Sequence, residues 1–128
     1  MNPQNGKTIR ELKDRVDYVV FSIHWGVEYD EKPHAAQVEL AHWLIEKGVD
    51  IILGHHPHVI QPIERYKNGL IVYSLGNFIF DQEGYIHKAG IHTEIGMVIR
   101  IRLHKTLGWS FVTGKTRIVD RYQVIWED

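Results

Sequence analysis

Apolar residues in the first half of the chain form runs that predict a β-α-β unit. Residues 18–23 are almost all apolar and mostly β-branched or aromatic, which predicts a strand buried on both faces. Residues 51–53 predict a second buried strand. Between them, apolar residues recur at helical spacing in a segment that Pro33 opens and Gly48 closes. Two strands joined by such a helix are nearly always parallel neighbours.

The pattern changes in the second half, where strands are expected to run antiparallel. Asn68-Gly69 separates the apolar runs 63–66 and 70–73, and this dipeptide is a strong hairpin signal. Apolar and polar residues alternate over 97–103, which predicts a half-buried strand followed by a turn at 105–108. A last strand is expected within residues 116–126.

A short N-terminal helix is also expected. Thr8 and Glu11 have the spacing of a capping box, in which the two side chains satisfy amides at the start of a helix. Ile9, Leu12 and Val16 follow at helical spacing.

Composition narrows the class of protein. The chain has 128 residues, no cysteine and a net charge of −1. The absence of cysteine excludes disulfides, cysteine zinc sites and thiol nucleophiles, and the near-zero charge argues against a nucleic-acid surface. We expect no membrane span, because every apolar run is far shorter than the roughly 18 residues required. We also expect no secretory signal, because residues 1–7 lack an apolar stretch behind a basic end.

Nine of the residues are histidine, and several of these are expected to be bystanders. His42 shares the polar stripe of the predicted helix with two glutamates, so we expect it to be solvated. His34 at the start of that helix and His104 beside a turn have structural interpretations. His87 and His92 fall in an irregular loop over 84–94, where a ligand role is a minor alternative.

The remaining histidines follow the two predicted parallel strands. His24 comes directly after the first, and Gly54-His55-His56-Pro57-His58 comes directly after the second. Parallel strands bring these residues to one carboxyl edge, where ligands bind in open α/β sheets. Imidazoles suit zinc, iron, copper or nickel, and manganese if carboxylates join them. The alternative is a turn with hydrogen-bonded histidines. We favour a metal site formed by His24, His56 and His58.

A third set of polar residues follows the next apolar strand. Asn77 has two interpretations: it orients an oxyanion or binds a metal through its amide oxygen, or it belongs to an ordinary turn. Glu28 and Asp81 are the nearby carboxylates. Either is a candidate outer partner of the imidazoles or a solvated surface charge.

Taken together, these motifs resemble the bacterial CapA family of capsule synthesis proteins, also described as poly-γ-glutamate biosynthesis proteins. The residues that carry the resemblance lie between positions 8 and 81: His24-Trp25-Gly26, Glu28-Tyr29, Pro33, Gln37, Gly54-His55-His56-Pro57-His58 and Tyr73-Ser74-Leu75-Gly76-Asn77-Phe78. Their number and order make the resemblance specific.

The resemblance implies a branch of the calcineurin-like metallophosphoesterases, whose fold is a four-layer α/β/β/α sandwich with a two-metal site at the strand ends. We therefore expect a mixed-sheet α+β fold forming the C-terminal part of such a sandwich. By the same resemblance His24, His56 and His58 match metal ligands, with His55 as the alternative if the register differs by one. Asn77 and His55 are the residues we assign to catalysis, and the expected cofactor is divalent manganese, zinc or iron.

The match departs from the family pattern in one large respect. Such enzymes also take ligands from Asp and Gly-Asn-His or Gly-Asn-Asp motifs upstream of the matched segment, and Gly76-Asn77 does not replace them. The chain thus resembles the C-terminal half only, a single partial domain over 1–128 with a motif-bearing region at 8–81 and antiparallel strands at 95–127. We expect one metal rather than two here, because the bridging carboxylate is absent.

Three functional hypotheses follow. In the first, the complete protein is a metal-dependent hydrolase of capsule or poly-γ-glutamate metabolism, acting in the cell envelope on an anionic polymer or a phosphate-containing small substrate. In the second, the chain is a non-catalytic binding or assembly module of a capsule polymer synthesis or export complex. In the third, it pairs with a separate N-terminal half of the same domain through the edge of its first strand.

Overall fold

The computed structural model describes residues 2–81, 90–120 and 122–127. Within them are two helices, α1 (Pro3–Lys13) and α2 (Ala35–Lys47). The strands are β1 (Val20–His24), β2 (Ile51–His55), β3 (Ile63–Tyr66), β4 (Gly69–Val72), β5 (Ile95–His104), β6 (Gly108–Val119) and β7 (Gln123–Glu127). Neither helix has the length and apolar character needed to cross a membrane.

Four strands form a mixed sheet in the order β1-β2-β4-β3. β1 and β2 are parallel, with a register that runs from Val20 opposite Ile51 to His24 opposite His55. β4 is parallel to β2, and β3 is antiparallel to β4. α2 connects β1 to β2 and ends at Gly48. The predicted β-α-β unit is therefore confirmed.

The hairpin between β3 and β4 is also confirmed, but its turn is displaced by one residue. Its two loop residues are Lys67 and Asn68 rather than Asn68 and Gly69. Lys67 has a φ of 51°, so a lysine adopts the left-handed conformation that the sequence suggested for the next residues.

The second sheet is an antiparallel meander in the order β5-β6-β7. The alternation over 97–103 lies within β5, as predicted. The last strand, expected within residues 116–126, is β7, which extends one residue beyond that range, and Thr116–Val119 is the end of the long strand β6 that pairs with it.

The two faces of the first sheet bury different neighbours. On one face, Ala41 and Leu44 of α2 pack with Ile52 of β2 and Ile71 of β4. On the other, the adjacent residues Ile51, Leu70 and Val72 pack against the second sheet through side chains that include Met97, Ile99 and Phe111. Helices, sheet and second sheet thus form three layers, and the mixed α+β fold is confirmed.

β1 departs from the prediction of a strand buried on both faces. It is an edge strand, and its side chains alternate between exposed and half-buried. Val20 is 49% exposed, and Ser22 and His24 share its face. The physical reason is that the second sheet packs on β2 and β4, while only the helix-facing side chains Phe21 and Ile23 join the core.

α1 begins earlier than the capping box at Thr8 suggested. Asn2 is the N-cap, and its side chain accepts a hydrogen bond of 2.9 Å from the amide of Gln4. Pro3 follows at the first helical position, where its missing N–H costs nothing. Thr8 lies inside the helix and donates its hydroxyl to the carbonyl of Gln4. The helix ends at Lys13, so Val16 lies outside it and is exposed.

Candidate metal centre

The ends of β1 and β2 bring the predicted histidines together. His24 and His55 are opposite each other in the parallel register, and His56 to His58 follow immediately. The ring centroids of His24 and His56 are 4.4 Å apart, and those of His56 and His58 are 6.2 Å apart. The predicted convergence at one carboxyl edge is confirmed.

Three residues at this edge have the geometry of a metal site. Ligand atoms of Glu28, His56 and His58 all lie within 4.8 Å of one another. Two imidazoles and a carboxylate suit zinc, manganese or iron. The sequence left Glu28 as either an outer partner of the imidazoles or a solvated surface charge, whereas the structure brings its carboxylate close to the imidazoles of His56 and His58. His24 stands beside His56 but outside this three-residue group.

The backbone that carries the imidazoles is strained. His56 has a φ of 103° and His58 a φ of 59°, both in the region that favours glycine. Each non-glycine residue held there costs roughly 1–3 kcal/mol, and such residues cluster at functional sites. Pro57 between them is fully buried and restricts the turn. With this backbone geometry, ligand atoms of the two imidazoles lie within 4.8 Å of each other.

A close contact between strand ends explains why glycine precedes the histidines. A Cβ added at Gly54 would lie 2.0 Å from the carbonyl oxygen of Tyr73. The same carbonyl accepts a hydrogen bond of 2.9 Å from the indole Nε1 of Trp25. The amide of Trp25 also donates to the carbonyl of His55. Gly54 therefore allows the three strand ends that carry the site to approach.

Asn77 is buried and holds one of the imidazoles. Its Oδ1 lies 2.8 Å from Nδ1 of His58, and its Nδ2 donates to the carbonyl of Thr93 at 3.0 Å. The bond to Thr93 fixes the orientation of the amide, so Oδ1 is the acceptor and Nδ1 of His58 carries the proton. In the neutral ring, Nε2 of His58 then keeps its lone pair, and this is the tautomer that binds metal ions.

An open cavity of 530 Å³ adjoins these residues. The cavity is lined by four histidines and Asn77, together with apolar side chains that include Leu53, Leu75 and Met97. Burial, reinforced by the nearby His24, lowers the pKa of His55, which favours its neutral form. The cavity therefore offers imidazole nitrogens and the Asn77 amide to a polar reacting group among apolar side chains.

Comparison with known proteins now identifies the family. A profile of the bacterial capsule synthesis protein family PGA_cap matches residues 2–82, more than half of the chain. The chain belongs to the PGA_cap family.

Three relatives of this PGA_cap chain have informative names. A capsule biosynthesis protein CapA of Bacillus anthracis is 51% identical over 64% of this chain and 21% of its own length. A PGA biosynthesis protein CapA of Bacillus subtilis is 54% identical over 58% of this chain and 20% of its own. A probable polyglutamine synthesis accessory protein of Mycobacterium tuberculosis is 37% identical over 53% of this chain and 18% of its own length. The matched part of the chain thus spans about a fifth of each relative.

Other candidate residues of the PGA_cap chain do not belong to the three-residue group. Asp81 is exposed and accepts a hydrogen bond of 3.1 Å from the hydroxyl of Tyr122. His34 precedes α2 and pairs with Asp30 at 3.0 Å. His92 and His104 are exposed, and His87 lies outside the described residues.

The expectation that His42 is merely solvated is wrong. Its Nε2 lies 2.9 Å from Oε1 of Glu64, and its ring stacks on Tyr66 with centroids 3.6 Å apart. Glu64 also accepts a hydrogen bond of 2.7 Å from the hydroxyl of Tyr73. The helical pattern placed His42 correctly on the polar stripe, but β3 and β4 pack beside that stripe.

Proposed function

We propose that Glu28, His56 and His58, with His24 beside them, hold one divalent ion of manganese, zinc or iron in a hydrolase of capsule or poly-γ-glutamate metabolism. The observation that carries the proposal is the convergence of three ligand atoms within 4.8 Å on a strained backbone. The printed names of the relatives, which concern capsule and PGA biosynthesis, support the biological setting.

The chemistry divides between the ion and the side chains of the chain. A divalent ion at such a site supplies Lewis acidity, which polarises a phosphoryl or carbonyl oxygen and makes water more acidic. Asn77 holds the imidazole of His58 in the ligand tautomer. His55 lines the same cavity, and we assign it as the group that accepts a proton from the attacking water.

The proposed substrate is an anion, either a phosphate-containing small molecule or an anionic polymer such as poly-γ-glutamate. A cationic centre in a cavity lined by imidazoles rather than by several carboxylates favours a negatively charged reacting group. The layer order of helices, sheet and second sheet supports the calcineurin-like metallophosphoesterase fold, of which we propose these layers are a part.

Metal binding and turnover are tested separately. Purified chain is titrated calorimetrically with Mn²⁺ and Zn²⁺, then assayed for phosphodiesterase and γ-glutamyl hydrolase activity with the same ions. We expect about one ion per chain, lost in His56→Ala and kept in His104→Ala, which removes an exposed histidine. Absence of binding by the unaltered chain would overturn the proposal. Binding without turnover would support the metal site but would reject catalysis by this chain alone.

A second function, assembly through β1, is favoured by a different observation. β1 is the edge of the first sheet, its Val20 is exposed, and a groove beside it is lined by apolar side chains that include Ile9, Phe21 and Trp43. Exposed strand edges pair readily with another strand. Because the chain spans about a fifth of its relatives, we propose that the occupant is a strand from the preceding part of the same family domain.

Co-expression tests this pairing. The segment of the Bacillus subtilis relative that precedes its matched region is tagged and expressed with the chain, and co-purification is measured. We expect capture that Val20→Lys abolishes, because a lysine on an edge strand opposes pairing. Val112→Lys, on an exposed position of the second sheet, is the matched control. Capture equal in both variants would reject the β1 interface.

A further inference from the structure

Two buried glutamines lie under the loop that carries Glu28. This loop, residues 25–34, connects β1 to α2. Gln37, in the first turn of α2, is 4% exposed, and Gln61, just before β3, is 1% exposed. Buried amides without charge partners are costly unless each donor and acceptor is used, so their bonding shows what they hold.

The side-chain amides of Gln37 and Gln61 are hydrogen-bonded to each other and to two points of the loop backbone. Nε2 of Gln61 donates to the carbonyl of Asp30 at 2.7 Å, and its Oε1 accepts from Nε2 of Gln37 at 3.3 Å. Oε1 of Gln37 accepts from the amide of His34 at 3.0 Å. The backbone amide of Gln61 donates to the carbonyl of Ser74. Segment 30–34 is therefore tied at both ends to buried side chains.

Glu28 is followed directly by two anchoring contacts. The amide of Tyr29 donates at 2.8 Å to the carbonyl of Pro57, which lies between the two ligand histidines. The carbonyl of the next residue, Asp30, is the one that Gln61 holds. The two residues after Glu28 are therefore both fixed, Tyr29 by Pro57 and Asp30 by Gln61.

Gly26 shows how closely the loop fits against this pair. It has a φ of 90°, and a Cβ added there would lie 2.7 Å from Nε2 of Gln37. The loop backbone therefore packs directly on the Gln37 amide, before Glu28 as well as after it.

We propose that Gln61 is a positioning residue of the metal site, which sets the place of the Glu28 carboxylate by holding the Asp30 carbonyl. This inference rests on the proposed function, since it assigns a role toward the same ion. Gln61 acts through the loop backbone, because its hydrogen bonds go to Asp30, Gln37 and Ser74. An exposed carboxylate on a loop becomes a preorganised ligand only when its backbone is fixed.

A double-mutant cycle tests the inference with metal affinity as the readout. Mn²⁺ and Zn²⁺ dissociation constants are measured for the unaltered chain, Glu28→Ala, Gln61→Met and the double variant. Methionine keeps the volume of glutamine and removes its hydrogen bonds. We expect Gln61→Met to weaken binding on the order of tenfold, the scale for outer partners of metal ligands. In the Glu28→Ala background the same substitution should have no further effect.

Controls separate positioning from general destabilisation. Thr116→Val alters another buried polar residue, in the second sheet, and should leave affinity unchanged. Gln61→Asn keeps the amide but shortens it, so it provides a second variant should methionine prevent folding, which circular dichroism reports. It too should weaken binding only when Glu28 is present.

The outcomes distinguish this inference from the function it rests on. If the unaltered chain binds no ion, the proposed function fails and this inference with it. If the chain and Glu28→Ala differ in affinity but the Gln61 variants bind like their parents, only the positioning role is wrong. Equal weakening with and without Glu28 would also reject it, because Gln61 would then act on the fold as a whole.

Discussion

The side-chain oxygen of Asn77 lies 2.8 Å from Nδ1 of His58, so Nδ1 is engaged in this contact and Nε2 is the ring nitrogen left for the proposed metal ion. Asn77 is 6% exposed, so the contact is protected from competition by water. We propose that the asparagine thereby sets the tautomer of a candidate metal ligand.

Replacing the Asn77 acceptor should weaken metal binding. In Asn77→Leu, Nδ1 of His58 loses its partner, and we expect affinity for Zn²⁺ to fall on the order of tenfold. Asn77→Asp keeps an acceptor for Nδ1 of His58 but places a carboxylate oxygen against the Thr93 carbonyl, so its affinity should lie between those of Asn77→Leu and the unaltered chain. Calorimetric titration measures both, and unchanged binding in Asn77→Leu would show that the contact does not matter.

Metal ions should stabilise the chain against heat. An ion that binds only the folded state stabilises it by about 2.7 kcal/mol at one hundred times Kd, which corresponds to a rise in Tm of roughly 10 °C for a domain of this size. Thermal melts with Zn²⁺ or Mn²⁺ measure the rise, and EDTA should reverse it. Glu28→Ala and His56→Ala should show little or no rise, while His104→Ala should match the unaltered chain.

Glu64 should contribute stability that depends on pH. Burial opposes its ionisation, but hydrogen bonds from Tyr73 and His42 prevail and lower its pKa below the ordinary 4.5. A group whose pKa is lower in the folded state stabilises the fold above its ordinary pKa, and this contribution is lost as the pH falls through the folded value.

The prediction for Glu64 is tested by urea unfolding of the unaltered chain and of Glu64→Gln, from neutral pH to below the ordinary pKa of the glutamate. Near pH 7 the variant should be less stable by about 1 kcal/mol, a value reduced by partial exposure. The difference should shrink as the pH falls below the ordinary pKa. Tyr73→Phe, which removes one donor, should give an intermediate pH dependence. A difference independent of pH would contradict this assignment.

Substitution of Gly54 should be far more damaging than substitution of a glycine in open space. An added Cβ would meet the Tyr73 carbonyl at 2.0 Å, and the backbone on both sides would have to move. We expect Gly54→Ala to lower the free energy of unfolding by about 3 kcal/mol or more. Gly108 has a φ of 80° with nothing within 4 Å of its added Cβ, so Gly108→Ala reports conformational strain alone, about 1–2 kcal/mol. Urea unfolding measures both variants, and equal losses of unfolding free energy would disprove the steric explanation.

Most of the local structure near the site follows from the sequence because its signals are short-range. Helix α2 is bracketed by Pro33 and Gly48, and β1 and β2 are apolar runs of strand length. Their parallel pairing then places His24 beside His55 without further information. The predicted site at the strand ends needed only this topology.

The errors arise where a residue depends on neighbours that are distant in sequence. The run 18–23 has the composition of a central strand, yet β1 lies at a sheet edge, which composition does not report. His42 pairs with Glu64, 22 positions away, so helical periodicity alone assigned it to solvent. Glu28 joins His56 and His58 only because the loop folds back onto Pro57. At α1, by contrast, Asn2-Pro3 was a local signal of the helix start that the capping box at Thr8 obscured.

The left-handed backbone at His56 and His58 has a consequence for any attempt to improve this protein. Glycine relieves such strain, so replacing His56 by glycine favours the folded state while removing a candidate ligand. At His58 the relief is offset by the lost hydrogen bond to the buried Asn77 oxygen. Screening for thermal tolerance in the absence of metal ions would therefore select against the imidazole of His56. In this turn, the proposed chemistry needs histidine, whereas the backbone conformation best suits glycine.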